Sequence, residues 1–229
     1  MPRYLLNATI IGVLFLIALP SSRCFAADAA TADEEVAYKR VINDRVGKIV
    51  AKLGVDDAAK RARVHKLIEN YYFGLREIHD ARDAKVNDAA QTPARDATIA
   101  NAWNKVAQDQ AALKLVDLHR GFLARLTVEL TPAQVEQVKD GLTYGVVRIT
   151  YDRYLELLPD LNEEQKREIL ATLIEARENA MDGGSSDEKH AIFGKYKGRI
   201  NNYLSSQGFD LKAAEETLVG QRKVVTPKQ

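Results

Sequence analysis

Apolar residues recur at helical spacing along nearly the whole chain. Ile42, Val46, Ile49 and Leu53 follow one another at intervals of four, three and four, the stripe of an amphipathic helix. Acids from Asp33 onward open that helix and Gly54 stops it. Asp56 or Asp57 then caps a longer helix to about residue 90, with Val64, Leu67, Ile68, Tyr71, Leu75 and Ile78 on its apolar face. Thr92-Pro93 signals a third start, and Ile99, Trp103, Val106 and Leu113 form the stripe that follows. Beyond it, Leu115, Val116, Leu118, Phe122, Leu123 and Leu126 point several ways, which predicts burial on most sides or a bend near Gly121.

Two capping boxes mark later starts, Thr131 with Gln134 and Asn162 with Gln165. Between them the stripe runs through Val135, Val138, Leu142, Val146, Ile149 and Arg153, but the Gly-Leu-Thr-Tyr-Gly stretch at 141–145 predicts a kink or break that exposes Tyr144. The second piece, containing Tyr151, Tyr154 and Leu157, ends at Pro159. The helix after Asn162 gathers Ile169, Leu170, Leu173, Ile174, Ala180 and Met181 on one face.

Residues 183–208 are the densest run of polar, aromatic and small residues that still keeps helical periodicity. At 100° per residue, Ile192, Phe193, Tyr196, Ile200, Tyr203 and Leu204 share an arc of about 120°. A second arc is nearly bare of bulk, with Ala191, Gly194, Gly198, Asn201, Asn202 and Ser205, and a third carries Glu188, Lys195 and Arg199. Two interior glycines each cost about 1 kcal/mol relative to Ala, which predicts a close approach on that side, by a neighbouring helix first and by a ligand as the alternative. Asp210 caps a last helix to about residue 222.

No stretch alternates with period two and no hairpin turn stands between apolar runs. The pattern therefore predicts an all-α protein, one compact domain of six to eight helices over residues 33–222, in which the 183–208 helix is largely covered by others. Residues 1–26 read as a secretory signal peptide, with an apolar run too short and interrupted for a membrane span and small residues before a cut after Ala26. Residues 27–32 read as a flexible lead-in and 223–229 as a frayed tail. Export places the protein in the periplasm or outside the cell.

Composition narrows the chemistry. Removing 26 of the 229 residues leaves 203, enough for one sizeable core. Loss of Arg3 and Arg23 takes the formal charge from +1 to −1, which gives no electrostatic case for nucleic acid or an anionic membrane. Cys24 is the sole cysteine, so the mature chain has no disulfide, thiol nucleophile or cysteine-held metal. There is no phosphate-binding glycine loop, nucleophile elbow, paired-histidine metal motif or dinucleotide fingerprint, and no cofactor or stable membrane anchor is expected.

The residues that remain suggest binding more than catalysis. Arg82 and Arg177 each fall on the axis of an apolar stripe, where a buried charge needs a partner. Either one is paired structurally or it offers a planar fork to a carboxylate or a sugar hydroxyl. Arg177 is expected to hold an acid from another helix and to shape a pocket floor. Nine tyrosines, against six phenylalanines and one tryptophan, set among Asn, Lys and Arg suit a carbohydrate or another small polar ligand. Arg82, Tyr144, Arg177, Lys195, Tyr196, Arg199 and Asn202 are the candidate ligand contacts, with Arg177, Tyr196, Arg199 and Asn202 expected in one closed pocket. His119 stands without a second histidine and reads as a satisfied core group. Glu175, Glu178 and Asp182 read as a solvated face.

The run AMDGGSSDEKHAIFGKYKGRINNYLSSQGFDLKAAE, with QVKDGLTYGVV and YLELLPDLNEEQK before it, resembles the secreted bacterial family DUF3826. The resemblance implies a sugar-binding protein of polysaccharide-degrading bacteria and supplies no catalytic residues. The stretches LTPAQ and LNEEQ also resemble the LTxxQ motif of periplasmic stress chaperones, which implies the alternative: a helical protein-interaction module with an exposed apolar concavity.

Overall fold

The structure is a computed structural model that describes residues 23–91 and 97–225. Most of the expected signal peptide, the Thr92-Pro93 start signal and residues 226–229 lie outside the described residues. Eight helices are described and no strand among them: α1 (Arg23–Ala51), α2 (Ala58–Gln91), α3 (Ala97–Glu129), α4 (Pro132–Leu142), α5 (Val146–Leu157), α6 (Glu163–Met181), α7 (Ser186–Ser206) and α8 (Leu211–Val225). The fold is all-α, with one compact domain from Ile42 onward. Before it, α1 is a helix with a Lys39–Glu35 pair at 3.3 Å. The helix starts at Arg23 rather than Asp33, so residues 27–32 are helical and not a lead-in; the alanines there are the strongest helix formers.

The local signals place the helix ends. Asp57 Oδ1 accepts from Ala59 N at 2.8 Å and starts α2. Thr131 with Gln134 and Asn162 with Gln165 form complete capping boxes, Ser185 caps α7, and Asp210 Oδ1 accepts from Ala213 N at 3.0 Å to start α8. Gln134 also donates to Leu53 O at 2.8 Å, tying the start of α4 to the end of α1. Each cap satisfies backbone N–H groups that a helix start otherwise leaves open.

Helices α2 and α3 form an antiparallel pair, since Arg63 meets Glu129 at one end and Lys85 meets Gln110 toward the other. Tyr71 stacks on Phe122 between them, centroids 4.1 Å apart. Gly74 lets the helices close, because a Cβ there would lie 2.9 Å from Leu118 Cδ1. The second part of the core joins α5, α6 and α7 through Val147, Tyr154, Ile169, Leu173, Phe193, Ile200 and Leu204. Helix α6 also packs on α4, and α8 on α5 and α7.

Several faces differ from the periodicity. Ile99, Trp103, Val106 and Leu113 are exposed, Leu113 at 70%; α3 packs instead through Ala107, Ala111, Phe122 and Leu126, because small side chains let α2 come close. The helix runs unbroken through Gly121. The break at 143–145 does occur, with Tyr144 at φ 59 and Gly145 at φ 67. It rotates the register, so Val147, Tyr154 and Leu157 are buried while Ile149 turns to solvent. Leu170 and Ile174 are likewise at the surface.

Helix α7 is covered on one face only: Lys189, Phe193, Ile200 and Leu204 are buried. Its small-residue side is open. An added Cβ at Gly194 or Gly198 would meet nothing within 4 Å, so no neighbouring helix accounts for these glycines. Asn201 on that side accepts from Tyr154 OH at 2.6 Å.

Candidate functional site

Helix α6 aims three charged side chains inward. Arg177 is 4% exposed and faces α4, where Glu136, Lys139 and Asp140, spaced i, i+3, i+4, share a side. Its Nη1 donates to Asp140 Oδ1 at 2.8 Å, and Nη2 donates to Glu136 Oε2 and to Glu178 Oε1. Lys139 bridges Glu136 and Glu178, each at 3.2 Å. One turn on, Asp182 Oδ1 accepts from Tyr71 OH at 2.5 Å and from His119 Nδ1 at 2.8 Å. His119 Nε2 lies 3.6 Å from Glu178 Oε2, and His79 Nε2 donates to Asp182 O at 2.8 Å. Four helices, α2, α3, α4 and α6, thus meet in one polar cluster that gathers His119, Lys139 and Arg177 around four carboxylates.

The electrostatics make this cluster a closed set of ion pairs. Hydrogen bonds to Asp182 and Glu178 outweigh burial and raise His119 to about 9, so it is an imidazolium at neutral pH and has no lone pair for general base work. Burial opposes ionisation of Glu178, but the His119 hydrogen bond and the Lys139 and Arg177 charges hold its carboxyl at about 2. Burial and the Asp182 carboxylate push the Tyr71 phenol up. For Arg177, burial is outweighed by its hydrogen bonds to Asp140 and Glu136, which raise its pKa further. The four carboxylates of the cluster all accept from a cation or the phenol.

Asp140 connects the cluster to an open cleft of about 450 Å³. Arg45 and Lys48 line it from α1 and Lys52 from just past its end, Tyr72 from α2, Gln137 and Asp140 from α4, and Tyr144 and Gly145 from the turn. The turn is built locally: Thr143 Oγ1 donates to Lys139 O at 2.8 Å and Gly145 N to Asp140 O at 2.8 Å. Holding Tyr144 in the left-handed region costs about 1–2 kcal/mol, and such strain concentrates at functional sites. Its ring is 41% exposed and stacks on His190, centroids 5.9 Å apart. Beneath Tyr72, buried Lys189 lies 5.6 Å from the ring centroid and donates to Leu142 O at 3.0 Å. Burial and the Arg45 charge lower Lys189 to about 8. Gly141 brings α4 against α1, since a Cβ there would lie 2.7 Å from Ile49 Cγ1.

The profile of DUF3826, a family of proteins of unknown function, matches residues 39–224. The chain belongs to the DUF3826 family. No curated protein matches it. In this DUF3826 protein the matched span takes in every residue of the cleft and of the ion cluster. Among its described residues no helix is long and apolar enough to cross a membrane, and no group of three His, Cys, Asp or Glu side chains could hold a metal.

The candidate contacts do not share one pocket. Tyr144 lines the cleft, and Arg177 stands one step behind its wall through Asp140. Arg82 sits at the surface between α2 and α7, with Asp83 at 2.8 Å and Glu188 at 3.5 Å. Tyr196 and Arg199 hold Glu175 on the other side of α6, at 2.9 and 3.1 Å, and Arg199 lies 4.9 Å from the Tyr196 ring centroid. Asn202 and Arg199 border a separate hollow with Glu168 and Thr172, and Lys195 is exposed. The physical reason is angular: Glu175 and Arg177 are two residues apart, about 200° around the helix. Glu175 alone of the three acids is on a solvated face; Glu178 and Asp182 turn inward. The sequence reading passed over Arg45, Lys48, Lys52, Tyr72 and Gln137, although the three cations at i, i+3 and i+7 on one helical face were a visible signal.

Proposed function

We propose that this DUF3826 protein is an exported, non-enzymatic module, secreted or periplasmic, that binds a carbohydrate in the cleft between α1, α2 and α4. The observation that carries the reading is exposed Tyr144 on the cleft wall, kept outward by its left-handed backbone beside buried Tyr72. Aromatic rings take the apolar faces of a sugar, while Gln137 and the cations can meet hydroxyls. The ion cluster behind the wall holds α4 and the turn in place, and its four carboxylates are all engaged. A glycan array on the mature chain tests this, followed by thermal shift with each hit. A ligand at 100 times its dissociation constant adds about 2.7 kcal/mol of stability, and Tyr144→Ala abolishes the shift. If no saccharide binds, or if Tyr144→Ala binds as well as the wild type, the reading fails.

The exposed apolar stripe of α3 favours a second reading, a chaperone-like interaction module. Ile99, Trp103, Val106, Leu113 and Val116 all lie at the surface, and exposed apolar patches mark interaction sites. The LTxxQ likeness adds nothing to it, because both motifs are accounted for as capping boxes. Suppression of aggregation of an unfolded client, lost on Val106→Asp with Leu113→Asp, supports this reading; no suppression rejects it.

A further inference from the structure

We propose that the ligand of the cleft is an acidic saccharide, one whose carboxylates or sulfates are met by Arg45, Lys48 and Lys52. The inference rests on the carbohydrate reading of the cleft and adds the charge of the ligand. Several surface cations of the compact domain are ion-paired, Arg63 with Glu129, Lys66 with Glu69, Lys105 with Asp109 and Arg199 with Glu175. Arg45, Lys48 and Lys52 form no such pair among the described residues, yet all three line the same cleft. Asp140 is the acid on the cleft wall, and its carboxylate is already engaged by Arg177. The opening is therefore locally positive on a chain whose formal charge is only +1.

The spacing fits an extended anionic chain better than a compact ion. Arg45 and Lys48 share one face of α1, and Lys52 just past its end extends the row to about 10 Å, the reach of two sugar rings bearing successive acidic groups. Tyr144 stands exposed on the same cleft wall to take a ring face. The lowered proton affinity of buried Lys189, caused first by its burial and then by Arg45, agrees with a positive potential at this end of the cleft. Concave sites lined by one sign of charge concentrate counter-ions and speed their capture.

Titration calorimetry on the mature chain tests this with four probes: an oligogalacturonate, its fully methyl-esterified neutral counterpart, a sulfated oligosaccharide, and inorganic sulfate. The acidic oligosaccharides should bind at least about tenfold more tightly than the neutral one, and their affinity should fall as salt rises from low to high ionic strength. Each of Arg45→Gln, Lys48→Gln and Lys52→Gln should weaken acidic binding about fivefold, while the melting temperature holds, since these side chains are exposed and unpaired. If the neutral ester binds as tightly as the acid, the charge inference is overturned and the carbohydrate reading stands. If inorganic sulfate binds as well as the oligosaccharides and Tyr144→Ala makes no difference, the site takes small anions and the carbohydrate reading fails instead. Acidic binding untouched by all three cation variants overturns the inference, and absence of binding by every probe overturns both.

Discussion

Replacing His119 with Gln should change the pH dependence of stability more than stability itself at high pH. In the folded chain the imidazole is raised from 6.5 to about 9, first by its hydrogen bond to Asp182 and then by that to Glu178. A group whose folded pKa is raised contributes stability that is complete below its unfolded pKa and disappears as pH climbs through the folded one. The contribution is thus full below about 6.5 and gone above about 9. At about 1.4 kcal/mol per pH unit that interval corresponds to about 3 kcal/mol. Glu178 and Asp182 are 30% and 24% exposed, so water screens part of it and we take about 2 kcal/mol. The groups facing His119 are Tyr71 from α2 and Glu178 and Asp182 from α6, with Lys139 of α4 on the far side of Glu178. Glu178, held at about 2, stays ionised across the window. Lys189 works in the opposite sense: lowered from 10.5 to about 8, it costs stability below pH 8 and releases that cost as pH rises toward 10.5. The wild type should therefore lose stability from pH 6.5 to 8, level off near 8–9, and recover in part above. Urea denaturation at pH 6, 7, 8 and 9, compared with His119→Gln, isolates the histidine. A wild-type minus variant difference that stays constant across those four values would refute the charged-histidine reading.

Three further outcomes follow from named contacts. Arg177→Met keeps volume but leaves Asp140 without its cation and Glu136 and Glu178 with Lys139 alone on that side, so it should cost about 3 kcal/mol in chemical denaturation; adding Asp140→Asn should recover part of that, and a double variant no more stable than the single would show that the pair does not hold α4. Gly198→Ala should stabilise the fold by up to about 1 kcal/mol because its Cβ enters open space, whereas Gly141→Ala should destabilise it by about 1–3 kcal/mol through Ile49; melting temperatures moving the other way would contradict the packing described. Tyr144→Gly should relieve the left-handed strain and raise stability by about 1 kcal/mol while removing saccharide binding, and a variant that is both less stable and still binding would break the link between strain and function.

What the chain spelled out by itself was local. Thr131, Asn162 and Asp210 could be read as helix starts because a cap needs only residues within one turn. The break at Tyr144-Gly145 was legible from its glycines and the apolar arc of α7 from its period, but the expectation that other helices largely cover α7 fails, since only one face is buried. That Arg177 required an acid followed from the cost of a buried charge, but its partners lie 37 and 41 residues away and only packing names them. Periodicity shows that a helix has an apolar stripe and not whether anything covers it, which is why the Ile99–Trp103–Val106–Leu113 stripe turned out exposed and the Gly194–Gly198 side open. The break after α4 defeated a stripe drawn straight through it, since a changed register turns every later side chain. The cleft belongs wholly to the tertiary structure: it exists where Gly141 lets α4 close on Ile49, bringing Arg45, Tyr72 and Tyr144 from three distant segments to one opening. A binding surface assembled across helices depends on distances that no single helix encodes, and so it appears only once the helices have packed.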